Sequence, residues 1–234
     1  MLPDELAAIK DKLIVHMKEA DATLFKKVRS PKFYDAEADY IIKLIGLDKP
    51  PKVEFPLLFL DFESTGLLDS AKPIQVAGVV VGKDLTKLEI VPSFQPAYID
   101  CLDDRDAMVP EYWLAQNIHH KTLRQVIKEG RPPIDIVTEF DAIPKKYPGI
   151  LLAGQNVGFD KRMLDKLYQM AGSKSPFDYH CLDLTGLSIV HLGKKSLKEI
   201  MEALKLDQSK YTHHDALGDA NATADAFIEL MRRL

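Results

Sequence analysis

The chain has 234 residues, of which 46% are hydrophobic and 28% are charged, and it carries a net charge of −4 at pH 7. This composition is ordinary for a globular protein, and the longest apolar runs are too short to cross a bilayer, which excludes a membrane-spanning protein. The N-terminal residues do not begin a signal peptide, and Cys101 and Cys181 cannot provide a disulfide framework or a zinc site, so we expect a cytoplasmic protein without membrane association.

The N-terminal part of the chain is predicted to be helical. Apolar residues recur at helical spacing from the N-terminus to about residue 30, where Pro31 ends the pattern. A second, shorter helix is predicted from Asp35, as its N-cap, to Ile45. A linker rich in proline and lysine follows. We therefore divide the chain into a helical N-terminal extension, residues 1–52, and a main domain, residues 53–234.

The main domain opens with a predicted strand that runs into two acids. Leu57–Leu60 is an apolar run that continues into Asp61, Phe62 and Glu63 before the turn at residues 64–66. Such a run predicts a strand covered on both faces, with Asp61 and Glu63 on one face and Phe62 on the other. Two neighbouring carboxylates repel each other and are costly to desolvate, and a hard metal cation would offset both effects. The alternative is a pair of solvated acids at the end of a strand.

The remaining segments alternate between strands and helices. Further strands are predicted at 74–81, 87–95, 150–153 and 179–184, and helices at 110–120, 121–130, 134–147, from Val157 with Asn156 as N-cap, at 196–206 with a capping box, and from Asp215 to Leu234. Residues 82–84 form a turn between the second and third strands, so these strands are expected to form a hairpin. A hairpin followed by strand–helix alternation predicts an α/β domain with a mixed sheet flanked by helices.

Three acidic motifs stand out in this pattern. They read DFESTGL at 61–67, NVGFD at 156–160 and HDALGDANATADAF at 214–227. In order and spacing they resemble the DEDD-type 3′→5′ exonucleases, in the subclass whose last motif carries histidine. The resemblance covers roughly residues 55–234, and it implies an RNase H-like fold and a proofreading-exonuclease-like activity.

The resemblance also implies a role for individual residues. Asp61, Glu63, Asp160 and Asp219 would be the catalytic carboxylates that hold two ions of Mg²⁺ or Mn²⁺, with His214 as the general base. The residues implied in substrate binding are Phe62, Ser64, Thr65, Gly66, Leu67, Asn156 and Phe159. Asp183 lies roughly where the family has another aspartate. The chain departs from the family at Gln75, where an acid is common, and at Ser64, where threonine is frequent; neither departure removes a metal ligand.

The same chemistry can be argued from the residue types. Hydrolysis of a phosphodiester is served by two divalent ions about 4 Å apart, held by carboxylates, with water and substrate completing their coordination. An imidazole, with an unperturbed pKa of about 6.5, can accept the proton of the attacking water. His214 and Asp219 are five residues apart, which is not one face of a helix, so His214 is expected just before the last helix and Asp219 within it. His213 and His119-His120 are more typical of surface histidines.

Three classes of function remain open at this point. The favoured one is a metal-dependent 3′→5′ exonuclease acting on a single-stranded end of DNA or RNA. The others are a nucleic-acid-binding module with a weak or inactive site, and a zinc hydrolase, against which the oxygen-rich ligand set argues. The acidic net charge does not exclude a nucleic-acid partner, because two bound divalent cations would neutralise it. The sequence identifies neither a polymerase partner nor a homo-oligomer.

Overall fold

The computed structural model describes residues 3–20, 30–44, 53–94 and 130–234. The chain divides into two compact units, Met1–Lys52 with Glu229–Leu234, and Val53–Ile228. The assignment of residues 1–52 and 53–234 to an extension and an exonuclease domain stays a prediction. No helix within the described ranges combines the length and apolarity that crossing a membrane requires.

The N-terminal extension contains the two predicted helices. Helix α1 spans Pro3–Ala20 and helix α2 spans Pro31–Leu44. The predicted start of α2 at Asp35 is wrong by one turn. Proline is favoured at the first helical position, where its missing N–H is not needed, so Pro31 begins this helix rather than ending the previous one. Asp35 therefore lies inside α2, where it faces Lys10 at 3.7 Å. The end of the predicted first helix and the linker lie outside the described residues.

The second unit is built on a mixed sheet of five strands. The strands are β1 (Leu57–Ser64), β2 (Pro73–Val81), β3 (Lys87–Phe94), β4 (Leu151–Gly154) and β5 (Cys181–Asp183). Their order in the sheet is β3-β2-β1-β4-β5. Strands β1, β2 and β3 pair antiparallel, whereas β4 pairs parallel to both β1 and β5. The predicted mixed sheet and its β2–β3 hairpin are confirmed.

Five helices and a short 3₁₀ helix accompany this sheet in the described residues. They are α3 (Pro133–Lys146), α4 (Val157–Met170), α5 (Leu184–Leu192), α6 (Leu197–Ala203), the 3₁₀ helix Gln208–Lys210 and α7 (Ala216–Arg233). Helix α5 is not predicted by the sequence pattern, and α6 ends three residues before its predicted end. The capping box of α6 forms between Ser196 and Glu199. The helices predicted at 110–120 and 121–130, with His119, His120 and Cys101, lie outside the described residues.

The alternation of side chains along β1 decides which way its acids point. Leu58, Leu60 and Phe62 are buried in the core cluster that includes residues of α3 and α4. Phe59 faces the other side of the sheet, where its ring lies 5.2 Å from that of Phe227 on α7. Asp61 and Glu63 have the same parity as Phe59, so the strand directs them to the face that α7 covers.

Candidate active site

Three carboxylates meet where the end of β1 approaches the start of α7. Asp61 and Glu63 come from β1, and Asp219 comes from the first turn of α7. Each of these side chains offers a carboxylate oxygen within 4.8 Å of the others. Carboxylate oxygens at this spacing are suited to a hard divalent cation such as Mg²⁺ or Mn²⁺. The structure thus brings together three of the four predicted metal ligands.

The fourth predicted ligand, Asp160, lies beside this cluster. It is 4% exposed and belongs to the first turn of α4. One of its carboxylate oxygens accepts a hydrogen bond of 3.0 Å from the backbone N–H of Phe62, the residue between Asp61 and Glu63. The bond ties α4 to the acidic end of β1, and it places the carboxylate of Asp160 next to the other three.

Two carboxyl groups of the site, those of Asp61 and Asp160, have a raised pKa. Burial raises the pKa of Asp61 well above its ordinary value, and repulsion from Asp160, Asp219 and Glu63 raises it further. Burial also raises the pKa of Asp160, although the hydrogen bond from the Phe62 N–H acts in the opposite direction. A bound cation would stabilise the ionised forms of Asp61 and Asp160, and the oxygen-only donor set fits Mg²⁺ or Mn²⁺.

The two neighbouring histidines lie immediately before α7, as the spacing predicted. The backbone N–H of His214 donates to Asp219 Oδ2 at 2.8 Å, and Nδ1 of His213 lies 3.4 Å from Asp219 Oδ1. His214 has a φ of 60°, a left-handed conformation that histidine tolerates better than most residues. The backbone of His214 and the imidazole of His213 are therefore held beside Asp219, and the role of His214 as general base stays a prediction.

The start of α7 is held in place by a side chain on β2. Gln75 is 2% exposed and pairs with Glu63 across the sheet. Its amide nitrogen donates to Asp215 Oδ1 at 2.8 Å, and its amide oxygen accepts from the N–H of Ala216 at 3.3 Å. An acid, which is common at this position in the family, could not donate to Asp215. The departure at Gln75 therefore gives the helix that carries Asp219 its anchor, and sequence reasoning had noticed only the departure.

Replacing Gln75 by alanine is expected to lower the free energy of unfolding by about 1–3 kcal/mol, because the buried Ala216 N–H and the Asp215 carboxylate lose this partner. Urea denaturation with an unchanged m-value measures the effect. The control is Gln169→Ala on the exposed side of α4, which should change the free energy by no more than about 0.5 kcal/mol. A loss in Gln75→Ala no greater than in the control would show that the bridge does not anchor α7.

The β1–β2 loop, residues 65–72, presents the predicted substrate-contacting residue Leu67. Its base is closed by two hydrogen bonds of 2.9 Å, from Thr65 N–H to the Lys72 carbonyl and from Lys72 N–H to Thr65 Oγ1. Leu67 itself is 79% exposed. The loop is therefore tied at its base while its apolar tip remains available to a ligand.

Two cations on α4 hold this loop, and sequence reasoning missed them. Arg162 Nη2 donates to the Leu67 carbonyl at 3.2 Å, and its guanidinium lies 5.4 Å from the centre of the Phe159 ring. Lys166 donates to the carbonyl oxygens of Asp69 and Ala71. No local signal could have revealed contacts that join residues more than 90 positions apart.

Two of the predicted substrate residues have buried side chains. The Phe62 side chain is 5% exposed within the core cluster, and its backbone N–H donates to Asp160. Ser64 is 7% exposed, and its hydroxyl donates to the Gly66 carbonyl at 2.6 Å, inside the turn. Both side chains thus contribute to packing or to the turn, and their contact with a substrate stays a prediction.

The turn that leads into α4 is organised by Asp183. Asn156 occupies the N-cap position with a φ of 58°, but its side chain makes no capping bond, contrary to the usual role of asparagine there. Its backbone N–H instead donates to Asp183 Oδ1 at 3.0 Å. The same oxygen caps α5 by accepting from the N–H of Thr185 at 2.8 Å. Asp183 therefore positions the segment that carries Phe159 and Asp160.

Comparison with known proteins identifies a matching sequence family and solved structures of similar fold. The model of the RNase T family, which is described as exonuclease, matches residues 58–227. No curated protein sequence matches the chain. Among solved structures, E. coli exonuclease I in complex with a dT13 oligonucleotide matches with a TM-score of 0.61 and 17% identity, over 75% of this chain and 40% of that one.

A second solved structure gives the same result. Exonuclease I from Methylocaldum szegediense matches with a TM-score of 0.55 and 24% identity, over 76% of this chain and 40% of that one. At such identities the likeness concerns the fold, and it confirms the RNase H-like sheet and flanking helices that the sequence predicted. The chain spans 40% of the length of these exonuclease I structures.

Proposed function

Because the chain belongs to the RNase T exonuclease family, we propose that it is a 3′→5′ exonuclease of the DEDD superfamily. Its substrate is the 3′ end of single-stranded DNA or RNA. It removes nucleotides by a two-metal mechanism with a histidine general base. The observation that carries this proposal is the meeting of Asp61, Glu63 and Asp219, with Asp160 alongside. A dead site would lack one of these ligands, and none is missing.

The four carboxylates would hold two ions of Mg²⁺ or Mn²⁺ between them. When bound, such ions stabilise the charge on the attacking and leaving oxygens of a phosphodiester and favour deprotonation of the attacking water. The contribution of the chain is to keep the ligands in place before substrate arrives. Asp160 is fixed by the Phe62 N–H, and Asp219 by the N–H of His214.

His214 would take up the proton that the water loses as it attacks. An exposed loop immediately before α7 suits this role, because the imidazole can reach the water and then release the proton to solvent. The backbone of His214 stays bonded to Asp219, so the base and a metal ligand move as one unit.

An unpaired 3′ end is the substrate that the surface features fit best. Leu67 is exposed at the tip of the β1–β2 loop, and Phe159 lies half-buried under Arg162, so both offer apolar contact to a terminal nucleotide. E. coli exonuclease I has been determined with dT13 and dA16 oligonucleotides, and a further structure is described as its complex with ssDNA. We extend the binding of a single strand to this chain as part of the proposal.

The activity is tested with single-stranded and duplex DNA and RNA labelled at the 5′ end. We expect release of mononucleotides from the 3′ end with Mg²⁺ or Mn²⁺, and none with excess EDTA, because the carboxylates cannot activate water alone. A 3′ phosphate should block the reaction, whereas a 5′ phosphate should not. Undiminished hydrolysis in EDTA would refute the metal mechanism, and tight binding without release would favour the binding module. Activity with Zn²⁺ but not Mg²⁺ would favour the zinc hydrolase.

A further inference from the structure

A cavity of about 550 Å³ opens from the carboxylate cluster, and half of its lining has no assigned role. Asp61, Asp219 and the two histidines form the part of the lining that belongs to the site already described. The part without a role includes Gln155 after β4, Leu197 and Lys198 at the start of α6, and Gln208 in the 3₁₀ helix. Its volume lies within the range of about 300–1,000 Å³ that is usual for ligand pockets.

The chemistry of this unassigned part suits a phosphate rather than a base. Nucleobases bind by stacking on aromatic or apolar faces, whereas the sugar-phosphate backbone needs cations and hydrogen-bond donors. Leu197 is the only large aliphatic side chain among the described lining residues, and Lys198 is the only lysine or arginine. Leu67 and Phe159, which are proposed to meet the terminal nucleotide, do not line this cavity.

The donors in the cavity are available to a ligand. Gln155 Nε2 donates one bond of 3.0 Å to the Lys195 carbonyl, which fixes the amide, and its second N–H has no acceptor among the described residues. Within the described part of the chain no carboxylate forms an ion pair with Lys198. By contrast, Lys161 is paired with Asp165 at 2.6 Å. An exposed, uncompensated ammonium beside an acidic metal site is suited to the polyanion that approaches that site.

We propose that Lys198, Gln155 and Gln208 form a subsite for the backbone phosphate next to the scissile phosphodiester. The inference rests on the proposed function, since it takes the ligand of the neighbouring carboxylates to be a nucleic-acid strand. The subsite holds the strand by its charge and not by its bases. It therefore contributes affinity that is independent of base sequence and sensitive to salt.

The test compares Lys198→Met with Lys83→Met, a matched loss of one exposed lysine. Lys83 lies two residues after Val81, which pairs with Leu57 at the start of β1, so Lys83 is at the opposite end of β1 from the acids. Fluorescence anisotropy with a 5′-labelled single strand in Ca²⁺, across a series of KCl concentrations, gives the salt dependence of binding. Lys198→Met should reduce the slope of log K against log[KCl] by about 0.7, and Lys83→Met should not. The ratio of wild-type affinity to Lys198→Met affinity should then fall about 3-fold between 50 and 200 mM KCl.

A scan with single neutral methylphosphonate linkages identifies the phosphate. At one linkage near the 3′ end, a neutral phosphonate should weaken binding by the wild type. The same substitution should not lower the affinity of Lys198→Met any further, because the ammonium that contacts this phosphate is already absent. Gln208→Glu, which places a negative charge in the cavity, should weaken binding at low salt. The proposal is overturned if Lys198→Met binds like Lys83→Met, or if each neutral linkage costs the same in both proteins. Because the assay measures binding in Ca²⁺, these results are separate from the failure of hydrolysis that would refute the proposed function.

Discussion

Asp61→Asn and Asp219→Asn are each expected to lower the single-turnover rate of 3′-end hydrolysis by at least about 1,000-fold while the chain remains folded. Each change removes one negatively charged ligand from the group of three carboxylates. A bound metal stabilises the charge of the transition state by several kcal/mol, and about 1.4 kcal/mol corresponds to a tenfold change in rate. The matched control is Asp225→Asn on the same helix as Asp219. Its carboxylate pairs with Lys87 at 2.7 Å and does not belong to the cluster, so the rate should stay within about threefold of the wild type.

The stability of these variants gives a second readout that does not depend on activity. The pKa of Asp61 is raised in the folded chain, first by burial and then by neighbouring acids. Because this pKa is higher in the folded than in the unfolded chain, the carboxyl stabilises the fold at a pH below its pKa in the unfolded chain. The stabilisation is lost as the pH rises through its pKa in the folded chain. In EDTA, Asp61→Asn should therefore be more stable than the wild type at pH 7 and should lose less stability between pH 4 and pH 7.

Addition of Mg²⁺ should reverse this order. Metal that binds only the folded chain stabilises it by mass action, so the wild type should gain melting temperature while Asp61→Asn should gain little. Thermal unfolding with and without metal measures both effects. Near wild-type turnover in folded Asp61→Asn or Asp219→Asn would show that the ligand assignment is wrong. Equal stabilisation of wild type and variant by Mg²⁺ would show that the ion binds elsewhere.

The parts of this site that lie within short segments could be predicted from the sequence. The apolar run Leu57–Leu60 and its alternation determine that Asp61 and Glu63 share a face, and the structure places that face under α7. The five-residue spacing between His214 and Asp219 placed the histidine before a helix that indeed begins at Ala216. In each case the deciding physics, the pleat of a strand or the turn of a helix, acts over a few residues.

The contacts that position these segments could not be predicted in the same way. The bridge from Gln75 to Asp215 joins residues 140 positions apart, and the bond from Arg162 to Leu67 joins residues 95 apart. Both depend on how whole elements pack, which no local periodicity encodes. Helix α5 was missed for a different reason. Its apolar residues are distributed around the whole helix, so helical spacing is not visible, although Asp183 at its start and Gly193 at its end are ordinary helix caps.

Replacement of His214 is expected to lower the single-turnover rate by about 100- to 10,000-fold, which is the contribution that positioned general bases typically make. Two variants separate loss of the imidazole from strain in the backbone. His214→Ala removes the imidazole but places alanine at a φ of 60°, whereas His214→Asn keeps a residue that tolerates this conformation. Both retain the backbone N–H that donates to Asp219 Oδ2. If the imidazole is the base, the single-turnover rate should fall by the same factor in both variants. Both should keep the affinity of the wild type for a single strand in Ca²⁺.

The neighbouring His213 provides the control, because its Nδ1 lies 3.4 Å from Asp219 Oδ1. That contact orients a metal ligand but lies outside the His-x4-Asp spacing, so His213→Ala should cost less than about tenfold in rate, well below the effect expected for a general base. The two positions therefore separate proton transfer from support of Asp219. A larger loss in His213→Ala than in His214→Asn would mean that the last motif begins one residue earlier than proposed. Small losses in all three variants would mean that the attacking water is activated without either imidazole.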